Sequence, residues 1–98
     1  MDGRNVFVGV LAYTGTAEQI NALLAEHRAY LDEYIASGNF IVCGRQNPRT
    51  GGVIIGYADS REDMGRMLRE DPFYVNGIAT HEIIEFSPTR WRKSFENI

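Results

Sequence analysis

The sequence is poor in cysteine and in long apolar runs. Its single cysteine, Cys43, cannot form an internal disulfide, which fits a reducing compartment. No apolar run approaches the roughly 18 residues of a membrane span. The N-terminal segment also lacks the basic start and apolar stretch of a signal peptide. We therefore expect a cytoplasmic protein without a membrane partner.

An excess of basic residues is also missing. The 98 residues carry a net charge of −3, whereas binding to nucleic acid requires a basic face. The one basic cluster is Arg90, Arg92 and Lys93, which surround Trp91 near the C-terminus. This cluster could bind an anion, or it could be a solvated tail whose tryptophan docks on the domain or on a partner subunit. We expect no nucleic-acid partner.

Common metal and nucleotide motifs are absent as well. The two histidines, His27 and His81, are far apart in the chain, and no Cys/His cluster has metal-ligand spacing. No Gly-x-Gly-x-x-Gly opens a helix after a strand, and there is no Walker-type loop. The sequence therefore predicts a protein without a metal or a cofactor.

What the sequence contains is a pattern of four strands and two helices. A capping box at Thr16 and Gln19 begins the first helix, and Gly38 ends it. Its predicted buried stripe is Ile20, Leu23, Leu24, Leu31 and Ile35. The second helix begins near Asp59 or Ser60, and Pro72 stops it. The predicted strands are Val6 to Tyr13, Phe40 to Cys43, Val53 to Ala58 and Thr80 to Phe86.

The order β-α-β-β-α-β predicts an α+β fold of ferredoxin-like type. In this fold a four-stranded antiparallel sheet carries both helices on one face. We expect a single domain over residues 1–98, with a core at about residues 5–87 and a C-terminal tail at residues 88–98.

The strands are apolar on both faces, which is unusual for an antiparallel sheet with one wet face. Two helices can cover only one face, and an exposed apolar face is typical of an association surface. A second copy of the sheet, packed face to face about a two-fold axis, would cover it. We therefore expect a homodimer. The strand segments concerned are Val6-Phe7-Val8, Val10-Leu11, Val53-Ile54-Ile55 and Ile83-Ile84.

His27 and Asp71 are the candidate catalytic residues. His27 falls on the apolar stripe of the first helix, where a histidine is either a satisfied core residue or a catalytic one. Asp71 precedes Pro72 and is placed at the C-terminal end of the second helix, where a carboxylate is unfavourable. The alternative is an ordinary turn aspartate. Side-by-side helices would let this carboxylate reach the imidazole and favour its charged form.

Four segments stand out as a set: His27-Arg28-Ala29-Tyr30-Leu31, Cys43-Gly44, Asn47-Pro48-Arg49-Thr50-Gly51-Gly52, and Asp71-Pro72-Phe73 with Gly77. Together they resemble the YCII-related (YciI-like) family. The match runs from the first strand to about Phe86. The resemblance implies a dimeric ferredoxin-like α/β barrel and a dyad of His27 with Asp71, and assigned members include a dehydrochlorinase. Many relatives have Ser-Gly-Pro where this chain has Cys43-Gly44-Arg45.

Three functions remain open from the sequence. The first is a cofactor-free enzyme in which the dyad transfers a proton, in an elimination or isomerisation of a small cyclic or aromatic organic acid. Phe73, Gly44 and Arg45 are then the expected ligand contacts, and Arg45 favours an anionic ligand. The second is a non-catalytic module that binds a small molecule or a partner. The third is a cofactor-free monooxygenase of the related dimeric-barrel type.

Cys43 is either a nucleophile or a small core residue.

Overall fold

The computed structural model describes residues 3–98. Each neighbouring pair of strands is antiparallel, and the order across the sheet is β2-β3-β1-β4. This is the ferredoxin-like α+β fold, so the predicted fold class is confirmed. No helix among residues 3–98 is both long and apolar enough to cross a membrane. The elements are β1 (Val6–Tyr13), α1 (Ala17–Ala22), α2 (Leu24–Ser37), β2 (Phe40–Arg45), β3 (Gly51–Gly56), α3 (Arg61–Leu68), α4 (Pro72–Val75), β4 (Ala79–Phe86) and a 3-10 turn (Lys93–Phe95).

The first predicted helix is divided at Leu23. The capping box at Thr16 and Gln19 is present as predicted, but Leu23 has a non-helical backbone and separates α1 from α2. The two segments pack on different parts of the core: Ile20 of α1 joins a small cluster with Phe73, whereas Tyr30 of α2 joins the main core.

The buried stripe of α2 contains tyrosines where aliphatic residues were expected. Ile35 was predicted to be buried, but 42% of its surface is exposed. Tyr30 and Tyr34 take the inner positions instead, where the Tyr34 ring lies 4.9 Å from that of Phe40 and the Tyr30 hydroxyl donates to the Met67 carbonyl at 2.6 Å. The prediction of a buried Ile35 is wrong because the spacing was counted on aliphatic residues alone.

Strands β2 and β3 reach further into the loop between them than predicted. Gly51 and Gly52 are typical turn residues, yet both lie in β3 and pair with β1. A Cβ atom on Gly51 would sit 1.7 Å from the Leu11 carbonyl oxygen, so only glycine allows this close approach. At the other side of the hairpin, Arg45 belongs to β2 and pairs with Gly52.

The two faces of the sheet have different surroundings. The helix-covered face holds the main core, which includes Phe7, Leu11 and Ile54 together with side chains from α2 and α3. Among residues 3–98 no helix covers the outer face, and several of its apolar side chains are exposed. Its exposed side chains include Val42, Ile84 and Phe86, with 52%, 55% and 44% of their surfaces accessible.

The C-terminal tail folds back on the domain. The Tyr57 hydroxyl donates to the Ile98 carbonyl at 2.7 Å, which ties the chain end to the residue that follows β3. Trp91 Nε1–H donates to Glu96 at 2.7 Å, while 39% of the Trp91 surface stays accessible.

Candidate active site

Asp71 begins helix α4 and does not close α3. Helix α3 ends at Leu68, and Asp71 is the N-cap of α4, with Pro72 in the first helical position. Its Oδ1 accepts a hydrogen bond from the Phe73 backbone N–H at 3.0 Å. A carboxylate is favourable at a helix N-terminus, so the expectation of an unfavourable C-terminal position is wrong.

Asp71 and His27 form the close pair that the sequence predicted. His27 Nδ1 lies 2.8 Å from Asp71 Oδ1, and the carboxylate is fully buried, whereas 15% of the His27 side chain is accessible. Because a carboxylate can only accept, this contact places the proton on Nδ1. The imidazole then presents Nε2 as its free nitrogen and a lone pair for proton transfer.

The remaining Asp71 oxygen makes the carboxylate unusual. Within residues 3–98, the buried Oδ2 has no hydrogen-bond partner. A buried carboxylate with one unpartnered oxygen is costly, and a positive charge on the neighbouring imidazole offsets that cost. The hydrogen-bonded oxygen, Oδ1, is shared by the His27 ring and the Phe73 backbone N–H.

Phe73 holds the imidazole ring in place. The Phe73 ring stacks on the His27 ring, with 4.1 Å between centroids and 14° between planes. The Tyr13 ring contacts the Phe73 ring edge-on, with 5.7 Å between centroids. Phe73 has no accessible surface and does not line the cavity described below. The geometry thus assigns Phe73 to the support of His27, whereas the sequence placed it against the ligand.

A cavity of about 360 Å³ opens beside His27, between α2 and the β2–β3 edge of the sheet. It falls within the usual size range of small-molecule sites, roughly 300–1,000 Å³. The predicted ligand residues Gly44 and Arg45 both line it, and their contact with a ligand stays a prediction. Its apolar wall consists of Leu11, Leu24, Leu31, Val53 and Ile54.

Cys43 also lines this cavity, but its surroundings do not activate it. Burial raises the pKa of the Cys43 thiol above its ordinary value, and the Asp32 carboxylate adds to the shift. A raised pKa lowers the thiolate fraction at neutral pH, which argues against a nucleophile. The side chain packs against the main core.

Tyr30 is a second group affected by the buried carboxylate. Burial raises the pKa of its phenol well above the ordinary value, and the Asp71 charge raises it further. Tyr30 therefore stays protonated and keeps its hydrogen bond to the Met67 carbonyl, which fixes α2 against α3.

Three further lining residues were not selected by sequence reasoning: Tyr13, Arg28 and Arg49. Arg28 directly follows His27, so its position beside a candidate catalytic histidine was a usable signal. Tyr13 and Arg49 come from a strand end and a loop, and only the folded chain brings them to His27. Across residues 3–98, no cluster of three His, Cys, Asp or Glu side chains is placed to hold a metal ion.

The model of the YCII-related domain matches residues 6–87 of this chain. No curated protein matches the sequence. Among solved structures, the chain is similar to 5-chloro-2-hydroxyhydroquinone dehydrochlorinase from Burkholderia phenoliruptrix AC1100 in complex with 2,5-dihydroxybenzoquinone. The two are 21% identical with a TM-score of 0.69, over 89% of this chain and 93% of that one.

A second similar structure is SnoaB, a cofactor-independent oxygenase from Streptomyces nogalater. It is 14% identical with a TM-score of 0.48, over 91% of this chain and 96% of that one. At 21% identity, the likeness to the dehydrochlorinase structure shows the fold alone.

Proposed function

The chain belongs to the YCII-related family, and on that premise we propose that it is a cofactor-free acid–base enzyme. Its reaction is an elimination or an isomerisation of a small cyclic or aromatic organic acid. His27 is the base and Asp71 orients it. The observation that carries this proposal is the 2.8 Å contact between His27 and a fully buried carboxylate, at the wall of a cavity of ligand size.

The proton transfer follows from the geometry of the pair. His27 Nε2 takes a proton from a carbon of the substrate, and the carboxylate on the other side of the ring stabilises the resulting imidazolium. In an elimination, the electron pair left on carbon expels the leaving group, and His27 later returns its proton to water. In an isomerisation, the same proton goes back to a different atom of the substrate.

The cavity limits the size and character of the substrate. Its volume suits a single ring with a few substituents, and its aliphatic wall suits the ring faces. The dehydrochlorinase with the similar fold acts, by its name, on a chlorinated hydroxyhydroquinone, so this compound is a reasonable member of a test panel.

The test is a hydrogen-exchange assay, which detects proton removal whatever the final product is. A panel of ring-bearing organic acids and hydroquinones is incubated with the protein in D₂O, and proton NMR monitors the loss of each C–H signal. Chloride release is measured in parallel for chlorinated compounds. We expect His27-dependent exchange or release with at least one compound.

The matched variants decide the outcome. His27→Gln and Asp71→Asn should both strongly slow exchange while leaving ligand binding, measured by thermal shift, in place. Binding of panel compounds with no exchange in the wild-type protein would instead identify a binding module and contradict the enzymatic proposal.

We also propose that the protein is a homodimer that pairs through the outer face of the sheet. Support comes from the exposed apolar side chains of that face, among them Val42 and Ile84. Residues of this kind favour association when they lie together. Light scattering of Ile84→Glu should show a shift toward monomer, while Val75→Glu, which changes a more exposed apolar residue on α4, should not. A wild-type monomer at micromolar concentration would contradict the proposal.

A further inference from the structure

Three arginines surround the cavity that His27 faces. Arg28 follows the histidine on α2, Arg45 ends β2, and Arg49 lies in the loop before β3. No aspartate or glutamate lines the same cavity among residues 3–98. In a protein with a net charge of −3, this is a local concentration of positive charge at one opening.

Two of these guanidinium groups have no partner within the described part of the chain. The side chains of Arg28 and Arg45 make no hydrogen bond or ion pair with any residue from 3 to 98. Arg49 is held in place, because it donates to Asn21 at 3.0 Å and lies 6.0 Å from the centre of the Tyr13 ring.

Arginines elsewhere on the surface provide the comparison. Arg66 lies 3.3 Å from Glu70 on α3, and Arg61 lies 4.0 Å from Glu85 and donates to the Ile83 carbonyl. These cations are neutralised by the protein itself. The two at the cavity are left with their hydrogen-bonding capacity available to a ligand.

We propose that Arg28 and Arg45 form an anion subsite that binds the carboxylate of a ring-bearing acid, with Arg49 adding to the positive field. The guanidinium fork matches the two oxygens of a carboxylate and donates to both at once. The carboxylate then lies at the arginine side of the cavity, and the ring extends along the aliphatic wall toward His27. This assignment rests on the proposed function for the location of the reacting carbon, but the binding of the anion does not depend on catalysis.

The same charges suit the proposed chemistry. When His27 removes a proton from the substrate, the electron pair left behind makes the substrate more negative. Fixed positive groups around the cavity stabilise that charge as it develops. They also raise the local concentration of an anionic substrate, an effect that salt weakens.

The test measures binding in a protein that cannot react. Benzoate and its neutral isostere benzamide are titrated by NMR into the His27→Gln variant near neutral pH and at low salt. We expect benzoate to bind about tenfold more tightly than benzamide, with the largest shifts at Arg28, Arg45 and Gly52. Rising salt should weaken benzoate binding and leave benzamide binding unchanged.

Further substitutions in the His27→Gln variant show which arginines bind the carboxylate. Arg28→Gln and Arg45→Gln should each weaken benzoate binding about fivefold to tenfold and have little effect on benzamide. Arg66→Gln is the matched control, since it removes an arginine that already has a carboxylate partner. Both test positions are exposed and unpaired, so their loss should not affect folding.

Other outcomes would overturn the subsite. The first is equal affinity for benzoate and benzamide, and the second is an absence of benzoate binding. The third is a preference for benzoate over benzamide that stays unchanged in Arg28→Gln and Arg45→Gln. Selective benzoate binding by a protein that exchanges no substrate proton would contradict the proposed function and leave the anion subsite standing.

Discussion

Two sets of charged groups at and beside the cavity differ in how they are held: a buried end at Asp71 and His27, and an exposed end at Arg28 and Arg45. At one end, Asp71 is fully buried, caps a helix, and contacts a histidine that is stacked on Phe73. At the other end, Arg28 and Arg45 are exposed and have no partner among residues 3–98. Because water is excluded from the first arrangement, the geometry of the Asp71–His27 pair is fixed and the electrostatic interaction between the two side chains is strengthened. The second arrangement leaves two guanidinium groups available to bind an anion from solution.

This difference separates the effects expected from mutations. Changes at the buried end should alter the rate of proton transfer or the stability of the fold. Changes at the exposed end should alter affinity and salt dependence. Substitutions at His27, Phe73 and Asp71 test the first of these expectations.

The largest expected effect is on proton transfer in His27→Gln. General base catalysis by a positioned side chain contributes about 10²- to 10⁴-fold, so exchange should fall by a factor in that range. The measurement is the exchange rate in D₂O for any compound found active. His81→Gln is the matched control, since His81 does not line the cavity, and its rate should be unchanged. Retained exchange in His27→Gln would remove the histidine from the mechanism.

Phe73→Ala should cause the largest loss of stability. The ring is fully buried in the small cluster and supports the imidazole, and truncation of a buried phenylalanine costs about 3–5 kcal/mol. Urea unfolding measures the change. Val75→Ala on the same short helix is the control, because 68% of Val75 is exposed and its loss should stay within about 0.5 kcal/mol. Similar losses in both variants would contradict the assigned role of Phe73.

Asp71 combines a structural and a chemical role, and two substitutions separate them. Asparagine keeps an oxygen to accept from the Phe73 N–H and from His27, whereas alanine removes the N-cap. We expect Asp71→Ala to be less stable than Asp71→Asn by about 1 kcal/mol, and both variants to lose exchange activity. An active Asp71→Asn would show that the negative charge is not required.

Much of this buried end could be predicted from the sequence. The four strands, the fold class and the capping box follow from local pattern, and the two residues of the dyad follow from a histidine on an apolar stripe together with the family motifs. The role of Asp71 as a helix cap did not follow, because a proline after a helical pattern indicates the end of α3 as readily as the first residue of α4.

The exposed end could be predicted only in part. Arg45 was selected, but Arg28 and Arg49 come from a helix and a loop, and no local pattern in the sequence shows that these two elements line the same cavity. The outward position of Ile35 likewise depends on tyrosine packing, which aliphatic spacing does not reveal.

The smallest expected effect is a pH dependence that arises from His81. Burial lowers the pKa of His81 below its ordinary 6.5, Arg69 lowers it further, and Asp71 opposes the shift. The unfolded chain therefore binds a proton more readily than the folded one, so stability is retained above 6.5 and is lost as pH falls through the lowered pKa. His81→Gln should reduce this loss in thermal unfolding curves. An identical pH dependence in the variant and the wild type would contradict the assignment.

The most direct test of the dyad is the tautomer of the His27 ring, measured by long-range ¹⁵N–¹H NMR on labelled protein. The 2.8 Å contact with a buried carboxylate predicts that neutral His27 carries its proton on Nδ1 and leaves Nε2 free. Asp71→Ala should lose this preference, since the acceptor is gone. A wild-type ring protonated on Nε2, or a tautomer that is the same in Asp71→Ala, would contradict the account.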